Sequence, residues 1–470
     1  MTLSTKHELL RQLPSVSDLL QTATATSWLA EHPRSLVTHC LRLALENLRA
    51  QVRSDEQGRC GMKHVGAEYV LEQAGLLLTQ ATQPRLRGAI NATGIVLHTG
   101  LGRAVWPQGV VDSMVEDLKG YVTLAVDCES GERINRDRCV EPALCELTGA
   151  QAATVVNNNA AATILVLAAL VAGRRVIISR GQLVEIGGEF RLPDVMALSG
   201  ALMVEVGTTN RTHLRDYADA ITPDTAAILR VHPSNYRVVG FQAEVPVGEL
   251  AGLGRERHIL VLDDLGAGAM VDLAEFGLPH EPMVSESIAA GADIVLFSAD
   301  KLIGSSQGGI IVGRKDLIER IRKHPLARAM RAGKSALMAL ERTLPLFRDV
   351  QLLKREHPLY RMVSTPREVL EQRARRLREA LAQAAPGASV DVAEDVGYLG
   401  SGSLPMHELP TWTVRIVQPG VDCRELSRRL RVDKACVFTR LAEERVVMDV
   451  RTITDEQVGV IAAALARVLA

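Results

Sequence analysis

The strongest constraint on what this chain can fold into is a rhythm. Short apolar runs at Ala153–Val156, Arg175–Ser179, Ala201–Val206, Ala226–Val231, Ile259–Leu262, Ile294–Phe297 and Ile310–Val312 alternate with longer stretches of helical character. Parallel neighbours in a sheet need a crossover long enough to hold a helix, so the alternation predicts an α/β domain on a largely parallel sheet.

The flanks read differently. From Leu9 to about Val52 apolar residues recur at helical spacing, as in Leu36, Val37, Cys40, Leu41, Leu43, Ala44 and Leu48. Gln57-Gly58-Arg59-Cys60-Gly61 reads as a break and Val65 to Gln80 as a further helix. Residues 1–85 are therefore expected to form a small helical domain, and residues 86–350 the large α/β domain. Beyond it a charged helix at Arg367–Gln383, strand-like pieces at Thr411–Val417, Val437–Thr439 and Arg445–Val450, and a last helix at Asp455–Leu469 predict a smaller α+β domain over 351–470. A chain of 470 residues exceeds one ordinary core.

Composition removes several classes of function. The formal net charge is -1, so no global field advertises nucleic acid or an acidic membrane surface. The most apolar run, Ala160 to Gly173, is too short to span a bilayer, and Met1 to Leu20 lacks the continuous apolar stretch of a secretory signal, so a cytoplasmic location is expected. The seven cysteines include no C-x-x-C pair and no accompanying histidine spacing, so free thiols are expected and no metal site is indicated.

In an open α/β sheet, ligands collect where strands end and loops begin. Four exits carry polar residues. Ile294–Phe297 runs into Ser298-Ala299-Asp300-Lys301, an amine in apolar surroundings that favour its neutral, imine-forming state. Ile259–Leu262 ends in Asp263-Asp264, placing a carboxylate where it can face a pyridinium nitrogen. Ala226–Val231 ends in His232-Pro233-Ser234-Asn235, whose side chains can reach a ring hydroxyl or stack on a ring. Ala153–Val156 ends in Asn157-Asn158-Asn159, a polar turn feeding an apolar helix whose first amides suit a phosphate. Taken singly, such a lysine is commonly a solvated edge residue, such an aspartate a helix cap and such a turn merely a turn. Their order, with one βα unit between Asn235, Asp264 and Lys301, predicts a pyridoxal-phosphate (PLP) site. A dinucleotide site, the competing reading, lacks its G-x-G-x-x-G run.

Longer strings carry a resemblance: Leu13-Pro14-Ser15-Val16, Ile90 to Thr99, Leu101-Gly102-Arg103, Val155 to Ala162, Ser179-Arg180-Gly181, Leu183 to Gly188, Glu205 to Asn210, Ser234-Asn235-Tyr236, Asp300-Lys301-Leu302, His324 to Arg331 and Gly402 to Pro405. In these the chain resembles, end to end, the selenocysteine synthases, bacterial L-seryl-tRNA(Sec) selenium transferases. The resemblance implies a fold-type-I PLP enzyme with Lys301 as the Schiff-base lysine and Asp264 at the pyridine nitrogen. It further implies seryl-tRNA(Sec) as substrate, an aminoacrylyl intermediate, selenophosphate as selenium donor held by Arg103, Arg328 and Arg331, an N-terminal tRNA-binding domain, and a homo-oligomer built from dimers, up to a decamer. Two features pull the other way. Residues 1–85 carry nine Lys and Arg against eight acids, a poor electrostatic footprint for nucleic acid, although recognition of a tRNA by shape stays open. Gly100, Ile134-Asn135, Ala267, Ala269, Ala299, Ser305 and Ser306 also depart from the family pattern. They keep open a paralogue using the same core for β-elimination or ammonia loss on a small amino acid or amino sugar, and a non-enzymatic tRNA-binding relative.

Overall fold

A computed structural model describes residues 3–55, 64–188 and 190–470. The break expected at Gln57 to Gly61 lies outside the described residues. The chain divides into two compact units, Met1–Gly88 and Ala89–Ala470.

In the first unit the helical periodicity resolves into helices Leu3–Arg11, Val16–Leu20, Ala23–Glu31 and Arg34–Ser54, followed by Ala67–Thr82. Local capping explains why one long helix does not form. Ser15 and Thr22 each accept a hydrogen bond from the amide three residues on, and Pro33 starts the fourth helix. That helix buries Val37, Cys40, Leu41, Ala44, Leu45 and Leu48, a stripe at three- and four-residue spacing. It packs on Val70, Ala74 and Leu78 of the fifth.

The second unit holds two main sheets. Strands are β1 (Ile90–Ala92), β2 (Ala152–Val156), β3 (Arg175–Ser179), β4 (Leu202–Val206), β5 (Thr225–Val231), β6 (Leu260–Gly266), β7 (Ile294–Ser298), β8 (Gly309–Gly313), β9 (Ser389–Gly400), β10 (Ser403–Val417), β11 (Val437–Ala442) and β12 (Arg445–Asp449). The large sheet has the order β2-β8-β7-β6-β5-β3-β4. All its pairings are parallel except those of β8, which runs against both β2 and β7. Strands β2, β5, β7 and β8 are buried along their whole length, which is why they read as largely apolar runs; the buried Arg230 of β5 is paired with Asp263. Among the described residues no helix is long and apolar enough to cross a membrane; the apolar stretch at 160–173 is helix Asn159–Val171, largely buried.

The small sheet has the order β1-β11-β12-β10-β9. Strand β1 pairs in parallel with β11, Ile90 opposite Val437, so the chain contributes to the C-terminal sheet before it builds the large one. Helices Arg367–Ala384 and Asp455–Leu469 supply Leu370, Leu377, Leu381, Ile461 and Leu465 to its core.

Candidate active site

The lysine sits where the sheet delivers it. Strand β7 is fully buried through Ser298, and Lys301, three residues on, is itself only 5% exposed. The turn behind it is pinned from below: Tyr360 donates its hydroxyl to the Leu302 carbonyl at 2.7 Å, and His357 Nε2 lies 2.9 Å from the Ile303 carbonyl. Gly304 takes a left-handed φ of +68° with its Cα against the His357 ring, a place with no room for a side chain. Burial pushes the Lys301 amine well below its usual pKa, and the neighbouring Arg103 guanidinium pushes the same way. At neutral pH the amine is thereby biased towards its nucleophilic, uncharged state.

Asp264 lies near the end of β6, where the pairing with β7 shifts register between Asp264 and Gly266. Such an irregularity re-aims a strand's last side chains. Its carboxylate accepts from Asn159 Nδ2 at 2.9 Å, Thr163 Oγ1 at 3.0 Å and the Gly266 amide at 3.1 Å. Burial still dominates and holds its pKa above the carboxylate range despite the three donors. A buried acid in that state is completed by a cation, and a protonated ring nitrogen is one.

Asn158 caps helix Asn159–Val171 by accepting from the Ala161 amide at 2.8 Å. Arg103, at φ +63° after the left-handed Gly102, donates to Asp300 Oδ2 at 2.7 Å. Together Lys301, Asp264, Asn158, Asn159, Ser234, His232 and Arg103 line one cavity of about 210 Å³. Two buried polar atoms on its wall, Asn159 Oδ1 and His232 Nδ1, have no protein partner. A planar cofactor with a ring nitrogen, a ring hydroxyl and a phosphate fits this set: amine, carboxylate, uncommitted polar atoms and a helix N-terminus in one cavity.

Not every expected residue joins this wall. Asn157 is exposed and its amide donates to the Met330 carbonyl at 2.8 Å. Asn235 is exposed and donates to the Glu185 carbonyl at 2.9 Å. Arg328, on helix Pro325–Ala329, and Arg331 are also exposed, outside the cavity lining. Arg331 nonetheless bridges Val156 through its backbone, which ties this segment to the end of β2 beside the Asn158–Asn159 turn. The positions that depart from the family pattern, Gly100, Ala267, Ala269, Ala299, Ser305 and Ser306, do not line the cavity either. Ala267, Ala269 and Ala299 are buried in the apolar core, and Ser305 and Ser306 bond to Thr343 and to the Ala336 carbonyl.

Motif reading did not single out two neighbours of the site: Thr163 lines the cavity, and Glu281 stands outside its lining. Thr163 stands one helical turn beyond Asn159, so a helix starting at Asn159 already implies that both share a face. Glu281 carried no sequence signal; it meets His232 Nε2 at 3.1 Å from a distant loop.

The seven-stranded order with one reversed strand, and a buried lysine opposite a buried aspartate at adjacent strand exits, define the fold-type-I class of PLP enzymes. A solved D-glucosaminate-6-phosphate ammonia-lyase shares this fold at TM-score 0.54 and 19% identity, covering 83% of this chain and 97% of that one. The chain belongs to the L-seryl-tRNA selenium transferase family, whose model matches residues 89–454, while the selenocysteine synthase N-terminal model matches 10–49. Proteins named L-seryl-tRNA(Sec) selenium transferase are similar along nearly the full length. One from Geobacter sulfurreducens is 43% identical over 97% of this chain and 98% of its own. One from Rhizobium meliloti is 44% identical over 95% of each.

Proposed function

We propose that this enzyme converts L-seryl-tRNA(Sec) to L-selenocysteinyl-tRNA(Sec) with selenophosphate as selenium donor, using PLP held at Lys301. The observation that carries the proposal is the cavity bringing the depressed Lys301 amine and the Asp264 carboxylate together in a chain similar throughout to selenium transferases.

Each residue has a task that its surroundings support. The neutral Lys301 amine would hold the cofactor through its aldehyde and would move the substrate's α-proton. Asp264, oriented by Asn159 and Thr163, keeps the ring nitrogen protonated. The first turn of helix Asn159–Val171 would hold the cofactor phosphate at its positive end, and Ser234, His232 and Asn159 Oδ1 would be available to the ring. PLP, when bound, supplies the electron sink that makes α-proton loss and departure of the β-hydroxyl feasible. Arg103 comes from within the cavity to meet an anionic donor, with Arg328 and Arg331 reaching it from outside the lining; Asn157 and Asn235 act at its edge.

The N-terminal helical unit takes the tRNA by shape. Its nearly balanced charge argues against a purely electrostatic grip. The enzyme works in the cytoplasm, where charged tRNA is found. It assembles as dimers, or multiples of dimers up to a decamer: Val105, Val115, Leu118, Tyr121 and Val126, in the stretch after Arg103, are exposed apolar side chains that a second copy would cover. The test is incubation of the purified holoenzyme with seryl-tRNA(Sec) and selenophosphate. Selenocysteinyl-tRNA is the expected product, and its absence with intact cofactor absorbance would turn attention to the eliminating-paralogue reading.

A further inference from the structure

We propose that His232, held by Glu281, is the acid that protonates the departing β-hydroxyl group; the inference rests on the selenium-transfer reading of the same cavity. Three observations place it there. The His232 amide donates to the Asp264 carbonyl at 2.9 Å, which fixes the residue one strand over from the ring-facing carboxylate. Its Nε2 lies 3.1 Å from Glu281 Oε1, and that carboxylate's side chain is only 7% exposed. Its Nδ1 is buried, has no protein partner, and belongs to a side chain on the cavity wall.

The other acids of the cavity are committed. Asp264 accepts from Asn159, Thr163 and Gly266, and Asp300 is paired with Arg103. His232 also stands at a junction, because a second cavity of about 370 Å³ shares its side chain and is lined by Glu281 as well. A substrate whose seryl end occupies the lysine cavity presents its leaving group beside such a boundary residue.

Hydroxide is a poor leaving group and needs a proton as the Cβ–O bond breaks. Lys301 can supply one only by giving up the α-proton that must return to the same carbon when the nucleophile adds. With Glu281 holding the Nε2 proton, the Nδ1 proton of the doubly protonated ring moves to the oxygen as Cβ–O breaks, and water leaves. The Cα–H electron pair becomes the Cα=Cβ bond and its proton stays on Lys301. When the selenium of the donor adds to Cβ, Lys301 returns its proton to Cα, His232 Nδ1 takes the proton borne by the donor, and water then cleaves the Se–P bond to leave the selenol and inorganic phosphate. Both groups are then reset, and Glu281 has balanced the ring's charge throughout as a positioning residue.

The experiment compares holoenzyme variants on two esters of the same tRNA, seryl and β-chloroalanyl, the second of which leaves as chloride without a proton. His232→Gln is expected to slow elimination from the seryl ester by roughly 100-fold or more and from the chloroalanyl ester by less than about fivefold. Per bound cofactor, its exchange of the substrate α-proton with deuterated solvent should persist while elimination from the seryl ester is lost. Glu281→Gln, which still accepts from Nε2 but cannot balance the ring's charge, should lose part of the seryl turnover, and Glu281→Leu should behave like His232→Gln. Equal losses on both esters, or loss of α-proton exchange with cofactor bound, would overturn the assignment; His232→Asn replaces the first variant if glutamine disturbs cofactor uptake. If wild type eliminates nothing from seryl-tRNA, the selenium-transfer reading fails first. The same leaving-group contrast between free serine and β-chloroalanine then decides His232 on its own.

Discussion

The two sides of the site are built in opposite ways. On the cofactor side Asp264 and Lys301 are buried, and the Asp264 carboxylate is tied to three donors. On the proposed donor side Arg328 and Arg331 are exposed on a short helix and the turn after it. A protein fixes in advance what must hold one orientation through a whole reaction, since misplaced catalytic groups are costly. Groups that meet a passing anion can stay solvated until it arrives. The contrast predicts that cofactor-side substitutions abolish chemistry, whereas donor-side ones weaken a single binding step.

The largest effect belongs to Lys301→Ala. It should remove the visible absorbance of bound cofactor and reduce product formation by at least about 10⁴-fold, the upper range of what one acid–base group contributes. A wild type that takes up no PLP would break the comparison at its root. Asp264→Asn comes next. Loss of a buried charge partner typically costs about 3–5 kcal/mol, hence roughly 10²- to 5 × 10³-fold in rate if that loss is felt in the transition state. Cofactor should still bind, so absorbance retained with turnover lost is the result to look for in a titration followed by single-turnover kinetics.

A third region lies behind the lysine and titrates. Burial pushes His357 down to about 4 from an ordinary value of 6.5. Since the folded pKa is the lower one, its contribution is complete above about 6.5 and is lost as pH falls towards 4, when the unfolded chain alone takes up a proton. The span corresponds to roughly 3 kcal/mol at 1.36 kcal/mol per unit. Denaturant midpoints measured between pH 7 and 4 should fall accordingly in wild type and fall less in His357→Phe. An unchanged slope in the variant would assign the acid sensitivity to other groups.

How much of this was legible depends on how local its cause is. The seven strands of the large sheet could be placed because each is a short apolar run, and their exits marked Lys301 and Asp264 directly. Strand β9 escaped because Ser389–Gly400 mixes acids and glycines among its apolar residues and owes its form to pairing with β10 along nearly its whole length. Glu281 escaped for a related reason: only tertiary packing brings its loop to His232. The drifted positions beside the motifs teach the converse. Ala267, Ala269, Ala299, Ser305 and Ser306 looked like altered catalytic loops when read next to Asp264 and Lys301. In three dimensions they pack behind the wall, against the core and Thr343, so they bear on how the lysine turn is supported rather than on what it touches.

The smallest effect is the one that sharpens the comparison most. If Arg328 and Arg331 each contribute a charge-assisted hydrogen bond to the selenium donor, each is worth about 1.5–3 kcal/mol. Solvation of both side chains places the expectation at the lower end, about a tenfold rise in the donor KM for either alanine variant. Neither should change cofactor absorbance or the elimination half-reaction, because neither belongs to the cavity lining. Arginine to lysine should recover part of the loss but not all, since an ammonium cannot offer the planar fork that engages two oxygens at once. Alanine at both positions with an undiminished rate at low donor concentration would remove their role and leave Arg103 as the anion's partner inside the cavity. A loss of elimination itself would instead mean that the segment tied to Val156 supports the Asn158–Asn159 turn, and that the two sides of the site are less separate than their burial suggests.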